Sequence, residues 1–429
     1  MVKNLFLKIN VFVLAATIIC ILLYSNLFVL KDKNYVLKTL LPLNEICEIN
    51  GTVSSSPVKL QNGKFYSVKF KVLNVKNDKN GIFSANGIVN LFLPTKTVEA
   101  LFPGKLYSSS IKSGAVLADS GANLSVKGRF STKTENKYNC SFYADFVNQL
   151  SWGNGFFSKL NYIRSLLRLQ FKRLLYDWGA SGALLLALIT GMREYTDVKI
   201  TTAFKNSGLS HILALSGMHL SLFGSISNFF TRKLFGKRKI ALFFEFFAVS
   251  IFVFFAGLSP SLCRALLCSS LSIFLRLLGI KNCKMINILS FVFLFHILIF
   301  PEDYKNAGFI LSYGALTGIL LFSEILNSHF SKIVPEKLSS SFCASLSAQI
   351  FTSPISLKLF GTFAPIGIIS SVIVTPVVTL FIYLGLFFIT LCLIFPFFSE
   401  CADFLLNLLY NLIEILVLFF SKFKIFSIN

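Results

Sequence analysis

The chain has 429 residues, 54% of them hydrophobic and only 14% charged, with 49 phenylalanines and a formal net charge of +22. That balance excludes an ordinary water-soluble globular protein of this length. Apolar runs long enough to cross roughly 30 Å of hydrocarbon as helices recur along it, so a polytopic α-helical membrane protein is expected. The positive charge has two competing sources, Lys- and Arg-rich cytoplasmic loops and a basic surface for a polyanionic partner. Nine cysteines without CxxC spacing and four histidines that form no cluster with them give no zinc or redox motif. No metal and no cofactor is expected.

Residues 1–30 form an N-terminal transmembrane anchor, "INVFVLAATIICILLYSNLFVL", preceded by Lys3 and Lys8 and without an A-x-A cleavage site. This places the N-terminus in the cytoplasm and the next segment outside. Residues 45–135 differ in composition, with turn signals at "SSSP", "QNGK", "NDKNG" and "FPGK" that space short runs as a small extracytoplasmic all-β domain would. In "KFYSVKFKV" the period is two: Tyr66, Val68, Phe70 and Val72 share one face, Lys69 and Lys71 the other. With Lys64 these make a basic face. The pattern suits an OB-like barrel that carries single-stranded nucleic acid, and equally an ordinary β domain with a solvated lysine face. Cys47 and Cys140 flank the domain in an oxidising compartment, and the sequence leaves open whether a disulfide joins them.

Residues 160–191 comprise an amphipathic segment, "NYIRSLLRLQFKRLLYDW", that sets Arg164, Arg168, Lys172 and Arg173 against Ile163, Leu166, Leu167, Leu174 and Leu175, and the apolar "GALLLALITG". The first reads as an interfacial helix. The second is too short to cross alone and is either re-entrant or packed.

Residues 205–425 form the main membrane domain. Spans are expected at 209–230, 240–258, 260–279, 285–300, 307–324, 340–360, twice within 364–396, and at 404–420, about ten in all with the anchor, some of them re-entrant. The loop Thr231 to Lys239, "TRKLFGKRK", carries five basic residues and no acid and should be cytoplasmic. Alternation then puts Lys281, Lys284, Lys332, Lys337, Lys422 and Lys424 inside, and both termini in the cytoplasm, provided 364–396 crosses twice. Arg276, near a span end, reads as snorkelling to the interface. His211 and His219, eight residues apart, would lie about 12 Å apart along a helix and about 80° around it, so one ion cannot bridge them unless the helix breaks at Ser216-Gly217.

Four patches resemble the ComEC-type competence proteins, which form the channel for single-stranded DNA in natural transformation. They are "NSGLSHILALSGMHLSLF" (206–223), "SPSLCRALL" (259–267), "PEDYKNAGFILSYGALTGI" (301–319) and "AQIFTSPISLKLFGTFAPIGIISSVIVTPVV" (348–378), in the family's order. The basic β domain also looks like the family's OB-like module. No HxHxDH-type run is present and the chain stops nine residues after Phe420, so the resemblance implies a short form lacking the metallo-β-lactamase-like domain of many relatives. It implies a non-enzymatic, multi-pass protein of the cytoplasmic membrane. Its DNA path would be lined by Arg264, His211, Ser216, Gly217, His219, Gln349, Thr352, Ser353, Asn306 and Tyr313, with Ser210 and Ser312 beside them. Lys64, Lys69 and Lys71 would meet DNA on the external domain.

On the order of nine phosphate charges of a single strand would occupy a 30 Å slab at once, which demands such a polar lining. No GxxxxGK[ST] loop is present, so a separate cytoplasmic ATPase translocase is expected, together with a separate extracytoplasmic DNA receptor and nuclease; a homo-oligomer is open. A secondary transporter or lipid-handling protein is the rival reading, because "TSPISLKLFGTFAPIG" looks like the broken helices of a mid-membrane substrate site. An intramembrane serine protease would rest on "GASG", Gly179 to Gly182, and on His296.

Overall fold

The computed structural model describes residues 11–25, 37–60, 63–77, 81–102, 116–131, 140–150, 152–193, 196–280, 283–423 and 425–427. Lys3, Lys8, Lys281 and Lys424, and parts of the "QNGK", "NDKNG" and "FPGK" turns, lie outside the described residues. The chain builds a small β-barrel and a larger helical domain.

The barrel strands are β1 (Lys38–Thr39), β2 (Ile46–Val53), β3 (Val58–Lys59), β4 (Phe65–Asn77), β5 (Ile82–Pro94), β6 (Asn123–Phe130) and β7 (Ser141–Gln149). Pairings β2–β4, β4–β5, β5–β7, β7–β6 and β6–β2 close a ring of five strands, with β5 and β7 parallel. The two-residue alternation of β4 is the one read from the sequence: Tyr66, Val68, Phe70 and Val72 are buried while Lys69 and Lys71 are exposed. Ile49, Leu91, Leu93, Leu124, Val126 and Phe142 complete the core. Cys47 and Cys140 are not joined to each other. The Cys47 thiol donates to the Glu45 carbonyl at 3.7 Å. Cys47 lies on β2 while Cys140 leads into β7, with β6 between those strands, too far apart for a bond that needs α-carbons within about 7 Å.

The helices are α1 (Val11–Tyr24), a short α2 (Thr95–Glu99) on the barrel, α3 (Phe156–Asp177), α4 (Gly179–Thr190), α5 (Val198–Asn206), α6 (Ser210–Leu213), α7 (Gly217–Phe235), α8 (Arg238–Ala256), α9 (Pro260–Leu277), α10 (Met285–Ile299), α11 (Ala307–Phe330), α12 (Glu336–Phe360), α13 (Gly367–Ile394) and α14 (Ser399–Phe420). Among the described residues, five segments are long and apolar enough to cross a membrane: 238–256, 260–277, 307–330, 367–394 and 396–420. Of the expected spans, the anchor and 285–300 are the shorter apolar helices α1 and α10, and three further expectations change. The span expected at 209–230 is broken, because helix stops after Leu213 and restarts at Gly217. The expected 340–360 span lies in α12, which is long but too polar for that set, carrying Ser339 to Ser341, Ser345 and Ser347.

The double crossing within 364–396 is replaced by one continuous helix, α13, with Pro376 inside it. Proline removes a single backbone bond, and an apolar setting offers the flanking residues no better partners than the helix itself. The condition under which alternation assigned Lys422 to the cytoplasm, two crossings within 364–396, is therefore not met. The chain end instead pairs β9 (Phe426–Ser427) with β8 (Thr362–Phe363), just after α12.

Helix α3 turns its cationic face into protein. Its cations do not reach for lipid: Arg168, Lys172 and Arg173 are buried, while Ile163 and Leu167 are about half exposed. Arg168 Nη1 donates to both oxygens of Asp119 (2.8 and 3.0 Å) and to Ser56 Oγ (3.0 Å), and its Nε donates to the Phe255 carbonyl (2.7 Å). Arg164 donates to the Ser120 carbonyl and Arg173 to the Leu101 carbonyl. One helix face thus clamps the barrel to the end of α8. α4 is buried from Ser181 to Thr190 and so takes the packed alternative. Arg276, 38% exposed near the end of α9, pairs with Glu245 on α8 (3.6 Å), which also accepts from Asn228.

Burial pushes the Asp119 carboxyl upward, but Arg168, then Lys172 and Arg164, outweigh it and hold its pKa below the usual carboxylate range. A lowered folded-state pKa contributes stability that is present above the unfolded value of about 3.9 and is lost as pH falls through the lowered one. Thermal melts of the detergent-solubilised protein should therefore lose this contribution only below about pH 4. Asp119→Asn should cost about 3–5 kcal/mol at neutral pH, because it strands a buried guanidinium, and should flatten that acid dependence.

Candidate functional site

The segment from Ser207 to Ser216 leaves the helix twice, at 207–209 and 214–216, with the single turn of α6 between. Ser207, which follows α5, is fully buried, and its carbonyl accepts from Ser370 Oγ on α13 (2.8 Å). Gly208 follows with φ +75°, and a β-carbon there would lie 2.7 Å from the Gly367 Cα. Only glycine permits both the left-handed backbone and that approach. His211, exposed on the single turn of α6, keeps Nδ1 at 3.2 Å from the Gly208 carbonyl.

After extended residues at Ala214 and Ser216, α7 starts with a capping box. Ser216 N donates to His219 Nδ1 (3.3 Å), and Ser216 Oγ lies 3.3 Å from the same nitrogen. The break considered at Ser216-Gly217 is real, and His219 serves it as the partner of the cap. His219 is buried, and its Nε2 has no hydrogen-bond partner among the described residues.

Gly217 brings this turn against α9: a β-carbon at 217 would sit 3.5 Å from Arg264 Nη2. Arg264 is 9% exposed. Its Nε donates to Ser312 Oγ on α11 (2.8 Å), and the guanidinium carbon lies 6.0 Å from the Tyr313 ring centre. Among the described residues no carboxylate pairs with it. The Tyr313 hydroxyl lies 3.2 Å from His296 Nδ1, and His296 Nε2 lies 3.0 Å from Asp303 Oδ2. His296 is fully buried and Asp303 partly exposed. Both ring nitrogens are thus engaged, and His296 and Asp303 extend the Arg264 cluster toward the loop 300–306. Neither was among the expected lining residues. No helical spacing links them, because α10 ends at Ile299 and Asp303 lies in the turn that follows it.

Asn306 caps α11 by accepting from Gly308 N (2.8 Å), while Ser261 Oγ donates to the Gly308 carbonyl (3.0 Å). These bonds stitch the starts of α9 and α11 together. The fourth patch does not reach Arg264. Gln349 meets Gly367, where a β-carbon would lie 2.4 Å from its Nε2, and its Oε1 is buried without a partner among the described residues. Thr352 bonds its own helix at the Ala348 carbonyl, and Ser353 is half-buried. In "TSPISLKLFGTFAPIG" Pro354 sits inside α12, and the helix is interrupted instead from Gly361 to Ile366, between α12 and α13. Ser181 of "GASG" is buried and turned back on the Trp178 carbonyl (2.9 Å). Among the described residues no group of three His, Cys, Asp or Glu could hold a metal ion.

Two polar junctions result, one where patches one, two and three meet at Arg264, the other where patches one and four meet at Gly208 and Gly367. Among the described residues the guanidinium makes one hydrogen bond, to a neutral hydroxyl, an arrangement suited to an oxyanion.

Compared with known proteins, residues 188–429 match the family described as "Competence protein". ComE operon protein 3 of Bacillus subtilis strain 168 is 28% identical over 207 residues, which make up 48% of this chain and 26% of that protein. The matched region thus spans about a quarter of that relative's length. No solved structure matches.

Gly208→Ala should lower the melting temperature of the solubilised protein clearly more than Gly236→Ala. Both positions have positive φ, but Gly236 opens onto space. The first should cost on the order of 1–3 kcal/mol of overpacking on top of the roughly 1–2 kcal/mol of left-handed strain that both share.

Proposed function

Because the chain belongs to the ComEC-type family of competence proteins, we propose that it carries single-stranded DNA across the cytoplasmic membrane during natural transformation. The observation that carries this reading is Arg264. An intramembrane arginine costs about 2.5–3.5 kcal/mol on insertion scales, and here no carboxylate among the described residues offsets it. Three sequence-distant patches nonetheless converge on it. A passing phosphate is a fitting counter-charge, and the serines, histidines and Tyr313 nearby supply neutral partners between phosphates.

The barrel supports the same reading. Taking β2, β4, β5, β6 and β7 as strands one to five, its closed order is 1-2-3-5-4-1 with the third and fifth parallel, the arrangement expected of an OB-like module. We place it outside the cytoplasmic membrane. Arg168 binds the Phe255 carbonyl near the end of α8, whereas the basic loop 231–239 lies at the start of α8, about 28 Å away along a 19-residue helix. The Tyr24 hydroxyl likewise donates to the Tyr304 carbonyl, which brings the end of α1 to the loop that carries Asp303. DNA would meet Lys64, Lys69 and Lys71, pass Asp303 and reach Arg264. Pulling falls to a separate cytoplasmic ATPase, and capture and strand removal to a separate receptor and nuclease.

In a transformable host, disrupting the gene should abolish uptake of marked DNA, and an unchanged transformation frequency would overturn the proposal. Arg264→Ala should reduce uptake by about tenfold or more, the equivalent of one lost charged hydrogen bond, with protein abundance in the membrane unchanged on immunoblots. Arg264→Lys should restore part of it.

A further inference from the structure

The outer face of the barrel carries a row of side chains that its lysines do not account for. The registers Ser67↔Phe92, Phe92↔Tyr143 and Tyr143↔Arg129 run one continuous row across β4, β5, β7 and β6. The Phe92 and Tyr143 rings are stacked, 4.7 Å apart and 18° from parallel, and Phe65 meets Tyr143 edge-on at 5.6 Å. Tyr143 is 36% exposed, and Phe65 and Phe92 are half-buried. Exposed Arg129 ends the row, and exposed Lys69 stands one outward position from Ser67, opposite Asn90. Asp145, the next outward position on β7, bounds the platform at the end away from Lys69.

A cross-strand aromatic pair stabilises a sheet, and a fully buried pair would need no further account. Rings open to water and bracketed by cations on neighbouring strands match a ligand that offers a flat π-face and an anion in each repeat, which is an unpaired nucleic-acid strand. In a duplex the bases already stack on one another and present only their edges. We propose that Phe65, Phe92 and Tyr143 form a base-stacking platform for single-stranded DNA, with Arg129 and Lys69 on the phosphates. This rests on the reading of the barrel as DNA-facing and names the contacts that reading lacks.

The test uses the full chain in detergent, titrated against a fluorescent oligothymidylate and an abasic strand of equal length. The wild type should prefer the base-bearing strand by about fivefold or more, the equivalent of a single stacked base. Tyr143→Ala should erase that preference and Tyr143→Trp should keep it. Arg129→Gln should weaken both strands alike and reduce the slope of log affinity against log salt by about 0.7. Equal binding of the two strands by the wild type, or a preference that survives Tyr143→Ala, would overturn the platform while leaving a charge-based DNA role for the barrel. Failure of the wild type to bind either strand at low salt would overturn the DNA-facing reading itself, and the platform with it.

Discussion

A guanidinium inside an apolar helix bundle has to be solvated by something, and the helical domain is arranged around how Arg264 is. A carboxylate would neutralise it and close the site to other anions. The chain instead supplies a serine hydroxyl at 2.8 Å and the face of Tyr313, which reduce the cost of burial without cancelling the charge. Tyr313 is in turn fixed through His296 to Asp303, so the acid at the end of this chain of contacts stands two residues removed from the arginine and partly open to water. Low dielectric makes such a chain sensitive to each member, and it leaves the positive charge available at the point where Gly217 lets another helix come close.

The second constraint is mechanical. The barrel is held by a helix whose cationic face points into protein, with Arg168 bonded at once to the barrel through Asp119 and Ser56 and to the membrane domain through the Phe255 carbonyl. One side chain thus fixes the position of the barrel relative to α8. Since α8 leads directly into the Ser259–Pro260 cap of α9, the clamp lies next to the helix that carries Arg264, and a DNA-facing barrel would be held near the start of the polar junction.

Local pattern revealed the barrel well. The alternation in β4 is decided by which side of a pleat each residue takes, so it is visible in seven residues of sequence. Arg264 was legible for a similar reason, as a cation in an apolar helix is costly wherever it sits. The sequence was less informative where the medium or a distant partner decides the outcome. Amphipathicity showed that α3 segregates its cations but could not say that protein rather than lipid headgroups covers them. Pro376 reads equally as a turn or as an interruption tolerated within a helix, and only the packing of α13 decides. The His219 cap, the Gly208–Gly367 contact and the His296–Asp303 link depend on where the backbone leaves the helix, which the 3.6-residue period does not encode.

The central claim is that the Arg264 junction faces the translocating strand, and site-specific photocrosslinking during uptake tests it most directly. A crosslinking residue at Ser312, beside Arg264, should capture radiolabelled incoming DNA. One at Phe274, on the same helix as Arg264 but 56% exposed on the bundle surface, should not. Capture at neither position in cells that take up DNA normally, or equal capture at both, would contradict a path through this junction.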